Sequence, residues 1–449
     1  MKDLTIGNER KLILQFALPM LLGNLFQQSY NIVDSIVVGR FIGKEALAAV
    51  GASFPVIFIL ISLVIGFSMG LTVIISQYYG AKDFRSIKRS IDTLNIILLI
   101  TSIIITLISI SFSTEIFQLM QLPVDVIPQA EEYFTTYMLG SIAFFGFNGV
   151  SAVLRGLGDS KTPLYFLIIA TVLNIILVLL FVIVFDWGVK GAAISTIIAQ
   201  GISFLLSVLY LNKYHKLVKV SFINIKFDKK IFLQSLRIGL PSGLQHTFVS
   251  IGMMALYAIV NSFGTDVSAA YAAVMRIDTF ASLPAMNFAI ALSTFVGQNI
   301  GANKIGRVKQ GLLATFVMTS GVAIFVSIGV ILFGKELMYL FTTDSTVIAL
   351  GHDYLIIVCS FYLVFTTMLV ISSVLRGAGD TLIPMFVSLF SLWLVRIPFA
   401  YFLSQHFGVQ GIWWSIPIGW FCGLLFIFLY YMKGNWKNKS VVSYTNPGH

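Results

Sequence analysis

The chain has 449 residues, of which 57% are hydrophobic and only 11% are charged, and its mean hydropathy is +0.92. Soluble domains carry about 25% charged residues, so this composition excludes an ordinary soluble protein and indicates an integral membrane protein. The apolar segments are long enough for helices that cross a bilayer, which need about 20 residues each. They lack the ten-residue alternation of an outer-membrane barrel.

We predict twelve transmembrane helices, one from each long apolar segment, in the following order along the chain. They cover residues 12–39, 46–75, 93–114, 133–154, 163–185, 191–211, 238–260, 268–296, 311–333, 350–374, 382–404 and 409–432. The polar beginning, residues 1–12, has no cleavable signal pattern.

The formal net charge of +10 is distributed unevenly between the predicted loops. With the N-terminus placed in the cytoplasm, the inside segments hold 23 Lys and Arg residues and the outside segments hold four. This split follows the positive-inside rule, so the charge orients the protein and does not indicate a nucleic-acid partner. We therefore expect a multi-pass protein of the bacterial inner (plasma) membrane, with both termini in the cytoplasm.

One motif occurs twice, as LRGLGDSKTP over residues 154–163 and as LRGAGDTLIP over residues 375–384. The two copies are 221 residues apart, close to half of the chain, so they indicate two homologous halves. Duplicated halves in a hydrophobic chain are typical of transporters. Both halves begin inside, which predicts two six-helix lobes with parallel pseudo-two-fold symmetry. The predicted domains are an N-terminal lobe (1–211), a cytoplasmic linker (212–237), a C-terminal lobe (238–440) and a polar tail (441–449).

Glycines and charged residues of this motif have a structural interpretation. Gly158 and its counterpart Gly379 allow a tight turn before the next helix, and we interpret Arg155 and Arg376 as cytoplasmic gate or topology residues.

In the second span, Gly66 and Gly70 have the small-xxx-small spacing that lets helices approach closely.

Acids inside the apolar segments are candidates for function, because a charge at the bilayer centre costs about 3 kcal/mol or more. Of 19 acids, two lie within a predicted span and clear of its last turn, Asp34 and Asp278. Asp34 ends a polar helical face. The other members of that face are Gln27, Tyr30 and Asn31. A carboxylate removed from water can exchange a proton near neutral pH, and the alternative is a structural carboxylate satisfied by neighbouring donors.

Polar residues of other spans are candidate partners. Asn174 lies in the middle of the fifth span, and Thr196 and Gln200 lie one turn apart on the sixth. Asn148 is a further candidate, in the fourth span. For Asn148, Asn174 and Thr196, an ordinary interhelical hydrogen bond is an equally good interpretation.

Asp278 lies two residues after Arg276 in the eighth span, so their side chains do not face each other on a helix. Each then needs another partner or water, and Arg396 in the eleventh span is one candidate to pair with Asp278. The functional alternative is a charged patch in the C-terminal half of a cavity.

The duplicated motifs and their neighbours resemble the multidrug and toxic compound extrusion (MATE) family over nearly the whole chain. The resemblance also rests on Gly66-Phe-Ser-Met-Gly70, on Gln77-Tyr-Tyr-Gly80-Ala81 with its counterpart at 298–302, and on Val33-Asp34. It implies two six-helix lobes around a central cavity and outward antiport of drug-like, often cationic compounds against H+ or Na+. It implies a cation-coupling role for Asp34.

At two positions this chain lacks an acid that a branch of the family has, and these differences bear on the coupling ion. In the DinF-like branch, which we favour, equivalents of Asn174 and Thr196 join Asp34 with a second aspartate, whose place is taken here by Val178. Loss of that carboxylate weakens a Na+ site but leaves one titrating acid, which favours H+. In NorM-like members an acid stands where this chain has Val249, with Gln245 and His246 nearby.

The predicted site therefore has two parts, without a metal or cofactor. The coupling residues are Asp34, Asn174 and Thr196. The cavity residues are Gln27, Tyr30, Asn31, Asn148, Gln200, Arg276 and Asp278. We expect a monomer that contacts small drugs or toxins and the lipid bilayer.

Two rival functions remain at this point. A flippase for lipid-linked saccharides would need a more cationic cavity, for which Arg276 and Arg396 are the candidates. A membrane receptor or scaffold would need neither duplicated halves nor an isolated acid in a span. The sequence shows no nucleotide-binding loop or nucleophile constellation, so we do not expect an enzyme.

Overall fold

The computed structural model describes residues 2–214, 219 and 225–442, and these fold into two successive series of helices. The predicted tail and part of the predicted linker lie outside the described residues. The helices of the first half are α1 (Glu9–Val37), α2 (Lys44–Gly80), α3 (Phe84–Ser111), α4 (Ser113–Leu119), α5 (Ile127–Leu139), α6 (Ser141–Gly156), α7 (Lys161–Leu179) and α8 (Gly188–Tyr214). Short π-helical segments, Val38–Ile42 and Leu180–Val184, extend α1 and α7.

The second half repeats this order. Its helices are α9 (Lys229–Asn261), α10 (Thr265–Gly301), α11 (Ile305–Tyr339), α12 (Ser345–Cys359), α13 (Tyr362–Gly377), α14 (Leu382–Leu389), α15 (Ile397–Phe407) and α16 (Val409–Lys433). A π-helical segment, Phe390–Arg396, joins α14 to α15.

Among the described residues, nine helical segments are individually long and apolar enough to cross a bilayer. The pairs α5–α6 and α12–α13 each supply one more span, bent by 49° and 50°. The remaining predicted span is α1, whose 29 residues include enough polar side chains to make it less apolar than the others. The predicted class, an all-α membrane protein with six spanning segments in each half, is confirmed.

The duplicated motif forms the same turn in both halves. The amide of its aspartate donates to the carbonyl of its leucine, at 2.8 Å in the first half and 2.9 Å in the second. The glycine before that aspartate has a positive φ, +81° at Gly158 and +93° at Gly379. A side chain would be strained in this conformation, so the predicted tight turn is confirmed.

The chain divides into two compact units close to two prolines within helices. The first unit consists mainly of Leu18–Gly243, and the second combines Leu4–Ala17 with residues from Leu244 onward. Helices α1 and α9 therefore each begin in one unit and end in the other, and the change lies near Pro19 and Pro241. Proline removes a backbone hydrogen bond within a helix, which allows α1 and α9 to change units there.

The beginning of the chain is fixed within the second unit. Leu4 N donates to Gln298 Oε1 at 2.8 Å, at the end of α10. Arg307 in the first turn of α11 forms an ion pair with Glu9 at 2.7 Å. These contacts anchor the first turn of α1 to the second unit.

Helices α2 and α9 cross at small residues within the first unit. A Cβ atom added at Gly70 would lie 2.8 Å from Gly239 N, and one added at Gly243 would lie 3.0 Å from Leu63 Cα. The backbones are too close for side chains at these positions, so the predicted role of the glycine pair in close helix packing is confirmed.

Candidate functional site

A hydrogen bond between α7 and α8 forms the base of the predicted coupling site. Asn174 lies in the middle of α7 and is 2% exposed. Its Nδ2 donates to Thr196 Oγ1 on α8 at 3.1 Å. The Asn174 Oδ1 atom is buried and has no hydrogen-bond partner among the described residues. The structure thus brings Asn174 and Thr196 together and leaves one buried acceptor available.

Asp34 lies in the last turns of α1, one turn before the π-helical segment Val38–Ile42. Its carboxyl group interacts with the Asn174 side chain. In the described part of the chain, Asp34 Oδ1 is buried without a hydrogen-bond partner. Unsatisfied buried acceptors are rare in native proteins, because each costs free energy unless a proton, a water or an ion meets it. Asp34 and Asn174 therefore offer two oxygens to such a group.

Three tyrosines lie within electrostatic range of Asp34. Tyr30 precedes it by one turn on α1, and Tyr133 and Tyr137 lie on α5, where their rings stack at a centroid distance of 6.1 Å. The sequence pattern did not indicate Tyr133 and Tyr137, because Tyr133 stands at the edge of a predicted span. Their i, i+4 spacing beside Glu131 was the available signal.

The predicted polar face of α1 is divided between two environments. Gln27 interacts with Tyr30 and lines a pocket, described below. Asn31 is half-buried, and its Nδ2 donates to Gln28 Oε1 at 3.4 Å, so its amide is engaged within its own helix.

Val178 lies one turn after Asn174 on α7 and is 0% exposed. The position of the second aspartate of the DinF-like branch is thus occupied by a fully buried apolar side chain. The predicted coupling site therefore contains one carboxylate, from Asp34, together with neutral oxygens.

A pocket in the first unit lies between α1, α6, α7 and α8. Its cavity volume is about 160 Å³. Three predicted cavity residues line it, namely Gln27, Asn148 and Gln200. Asn148 donates to the Phe144 carbonyl of its own helix at 2.9 Å, and Gln200 Oε1 is buried without a partner among the described residues.

Arg155 also lines this pocket, although we interpreted it as a gate or topology residue. It lies at the end of α6, inside the duplicated motif. Within the described ranges its guanidinium group makes no hydrogen bond and no ion pair. The structure therefore assigns Arg155 to the lining of a pocket, a position that the sequence pattern did not indicate.

In the second unit, Asp278 is held by a tyrosine. Tyr362 on α13 donates a short hydrogen bond to Asp278 Oδ1 on α10. Arg396 lies within electrostatic range of Asp278, but the described residues contain no ion pair between them within 4.0 Å. Arg276 is exposed, near Tyr257. The structure thus places Arg276 and Asp278 in different environments.

Gln245 of α9 is engaged with the arginine of the duplicated motif. Gln245 Oε1 accepts a hydrogen bond from Arg376 at 3.2 Å, and Gln245 Nε2 donates to Ser388 Oγ at 2.6 Å. Val249 packs against the apolar core of the second unit. Where NorM-like members have an acid, this chain therefore has Val249, an apolar side chain that packs against the core.

Comparisons with known proteins agree with this architecture. The family model MatE matches the chain twice, over residues 19–180 and 241–402, so the same model recognises both halves. The probable multidrug resistance protein YpnP of Bacillus subtilis (strain 168) is 35% identical over 97% of each chain. The probable multidrug resistance protein YoeA of the same organism is 32% identical, over 95% of this chain and 94% of its own length.

Among solved structures, a multidrug resistance MATE family transporter of the MOP superfamily, in an outward-facing conformation, matches with a TM-score of 0.91. It is 25% identical and covers 98% of this chain and 99% of its own. Two duplicated groups of helices and a family model that matches both halves define a membrane transporter. The chain belongs to the MATE family.

Proposed function

We propose that this chain is a secondary active multidrug efflux antiporter of the plasma membrane, which exchanges small organic compounds for H+ or Na+. The names of its relatives, which are multidrug resistance proteins, support this proposal. In the proposed orientation both termini are cytoplasmic, and the protein acts as a monomer without a cofactor or catalytic residues.

The observation that carries the proposal is the unsatisfied carboxyl oxygen of Asp34 beside Asn174. Charged Asp34 favours a cation or a polar arrangement of α1 and α7. Protonated Asp34 is compatible with apolar surroundings and lets these helices repack. Protonation of one group thus biases a two-state element, as in other proton-driven switches.

The ion that we favour is H+. Hard cations such as Na+ prefer several oxygens with negative charge nearby, by analogy with Ca²⁺ and Mg²⁺ sites. Asp34 supplies one carboxylate, Asn174 and Thr196 supply neutral oxygens, and buried Val178 supplies none. A single acid suffices for proton exchange, whereas a Na+ site would be weak.

The free energy of one proton is sufficient for drug export. Movement of one charge through about 150 mV releases about 3.5 kcal/mol, at about 2.3 kcal/mol per 100 mV. Because about 1.4 kcal/mol corresponds to a factor of ten, one proton can sustain a gradient of about 300-fold for a neutral compound.

The experiment that tests this proposal is transport in proteoliposomes with one imposed gradient at a time. We expect a pH gradient to drive accumulation of a fluorescent drug without Na+. A Na+ gradient imposed at equal pH should drive little. Strict Na+ dependence would contradict the choice of ion, and absence of drug transport under both gradients would contradict efflux.

A further inference from the structure

The pocket of the first unit has an unusual charge for a protein expected to export cations. Arg155 is the one charged residue among those that line it, and none of the described lining residues is acidic. In the described part of the chain, the Arg155 guanidinium has neither a hydrogen-bond partner nor an ion-pair partner. A cation placed here would be repelled, and an anion would be attracted.

The acid closest to Arg155 in sequence does not neutralise it. Asp159 caps α7, because its Oδ1 accepts from Thr162 N at 3.0 Å and its Oδ2 accepts from Thr162 Oγ1 at 2.7 Å. Asp34 lies seven residues beyond Gln27 on α1, which corresponds to about 10 Å along a helix axis. The positive charge of Arg155 is therefore available to a ligand.

The duplicated half provides an internal comparison. Arg376, the counterpart of Arg155, donates to Gln245 Oε1 at 3.2 Å. Counted from Pro19 and Pro241, the residue of α1 that corresponds to Gln245 is Gly23. Gly23 lines the pocket, so the absence of a side chain there removes the partner of the arginine and enlarges the space beside it.

The remaining lining fits an aromatic ring. Phe144 and Phe147 of α6 line the pocket, together with Leu164 and Leu167 of α7. The cavity volume of about 160 Å³ lies below that of pockets that enclose drug-sized ligands, about 300–1,000 Å³, so the pocket suits a small aromatic compound. Arginine binds carboxylates with two parallel hydrogen bonds, which lysine cannot do.

We propose that this pocket binds amphipathic aromatic carboxylates, with the carboxylate on Arg155 and the ring against Phe144 and Phe147. The proposal rests on the proposed efflux function and specifies its substrate class. Compounds that also contain an amine, at a distance that reaches toward Asp34, fit the same arrangement. Purely cationic compounds do not.

The test is binding of three matched probes to the purified protein in detergent, measured by calorimetry: 2-naphthoate, neutral 2-naphthamide and the cation 2-naphthylmethylammonium. We expect 2-naphthoate to bind best and the ammonium probe worst. Arg155→Gln should weaken 2-naphthoate binding by about 10- to 100-fold, as expected for loss of a hydrogen bond between charged groups. Its affinity for 2-naphthamide should change less than about twofold, which also shows that the variant is folded.

Two further variants keep the result specific. Gln27→Glu adds an acid of nearly the same shape to the lining and should favour the ammonium probe over 2-naphthoate. Arg85→Gln, which removes an exposed positive charge from α3, should leave all three affinities unchanged. Equal loss of all three probes in Arg155→Gln, or absence of binding in the unmodified protein, would overturn the proposal.

Transport separates this proposal from the proposed function. Export of dyes by a protein that prefers the ammonium probe would leave efflux intact and refute the carboxylate class. A vesicle assay with a fluorescent phosphatidylglycerol separates a free carboxylate from a lipid phosphate. Scrambling of that lipid that depends on Arg155 would assign the arginine to a lipid and overturn the proposal.

Discussion

Each half of the chain has one acid well inside a spanning helix, Asp34 in α1 and Asp278 in α10, but the two acids have different surroundings. Asp278 in the second unit accepts a hydrogen bond from Tyr362 and has Arg396 within electrostatic range. Asp34 in the first unit has a buried oxygen without a hydrogen-bond partner among the described residues. Duplication of the fold has therefore not duplicated the chemistry. We propose that Asp34, which has an unsatisfied oxygen, responds to an ion, and that Asp278, which has a tyrosine donor, stabilises its unit.

The largest effect that we expect comes from exchanging each acid for its neutral isostere. Asp34→Asn fixes the neutral shape and should abolish the pH-driven drug gradient in proteoliposomes, because no proton is coupled. Asp278→Asn should keep at least half of the initial rate of uptake, since Tyr362 can still hydrogen-bond the amide oxygen. Both variants should be extracted as monodisperse protein. Full coupling in Asp34→Asn would falsify the assignment, and Asp278 would be tested next.

The second effect concerns Val178, the apolar neighbour of Asn174. Val178→Asp adds the second carboxylate, so Na+ should stimulate transport at least about tenfold more than in the unmodified protein. Val178→Asn is the matched control, because it adds a polar group of similar size without the charge. The measurement is the initial rate of uptake against Na+ concentration at constant pH. Equal Na+ responses of the two variants would mean that the site is not formed around Asp34.

The sequence predicted the spanning helices and the duplicated turns better than it predicted which side chains contact Asp34 and Arg155. Long apolar segments and the duplicated glycine turns depend on local chemistry, and the structure confirms both. The partners depend on which helices meet. Tyr133 and Tyr137 were missed because Tyr133 stood at the edge of the predicted span, whereas in the structure both lie within α5, before a bend of 49°. Arg155 was interpreted as a cytoplasmic gate or topology residue because the pattern does not reveal that Gly23 stands where the other half has Gln245, the partner of Arg376.

The positions at which the chain passes from one compact unit to the other could not be predicted from the sequence either. The apolar pattern runs through Pro19 and Pro241 without interruption, so loops were the natural places for domain boundaries. In the structure the units change inside α1 and α9, where contacts to neighbouring helices decide which unit a residue joins. Hydropathy reports the membrane environment, which is the same on both sides of such a change.

A third, smaller effect concerns the close crossing of α2 and α9 in the first unit. Gly70→Ala introduces a Cβ atom 2.8 Å from Gly239 N, and overpacking of this kind costs about 1–3 kcal/mol. Gly51→Ala, on the same helix, meets no heavy atom within 4 Å and serves as the control. Thermal unfolding in detergent should show a lower midpoint for Gly70→Ala and an unchanged or higher midpoint for Gly51→Ala. Equal midpoints would show that the crossing can relax.

The smallest effect tests the structural role of Asp278 directly. Tyr362→Phe removes the donor that satisfies Asp278 and should cost about 1–2 kcal/mol of stability, near the upper limit for hydrogen bonds between membrane helices. Tyr354→Phe is the matched control in the same core, because the Tyr354 hydroxyl contacts only the weak acceptor Met275 Sδ, at 3.9 Å, among its hydrogen bonds in the described residues. It should change stability by less than about 0.5 kcal/mol.

Both tyrosine variants should retain proton-coupled uptake, since neither touches Asp34 or Asn174. The measurement combines thermal midpoints with the pH-driven drug gradient in the same preparations. Loss of the gradient in Tyr362→Phe at normal stability would place Asp278 in the coupling mechanism and remove the distinction between the two acids. Loss of stability with an intact gradient would leave coupling in the first unit, because the duplicated second half then supplies the framework without sharing the proton.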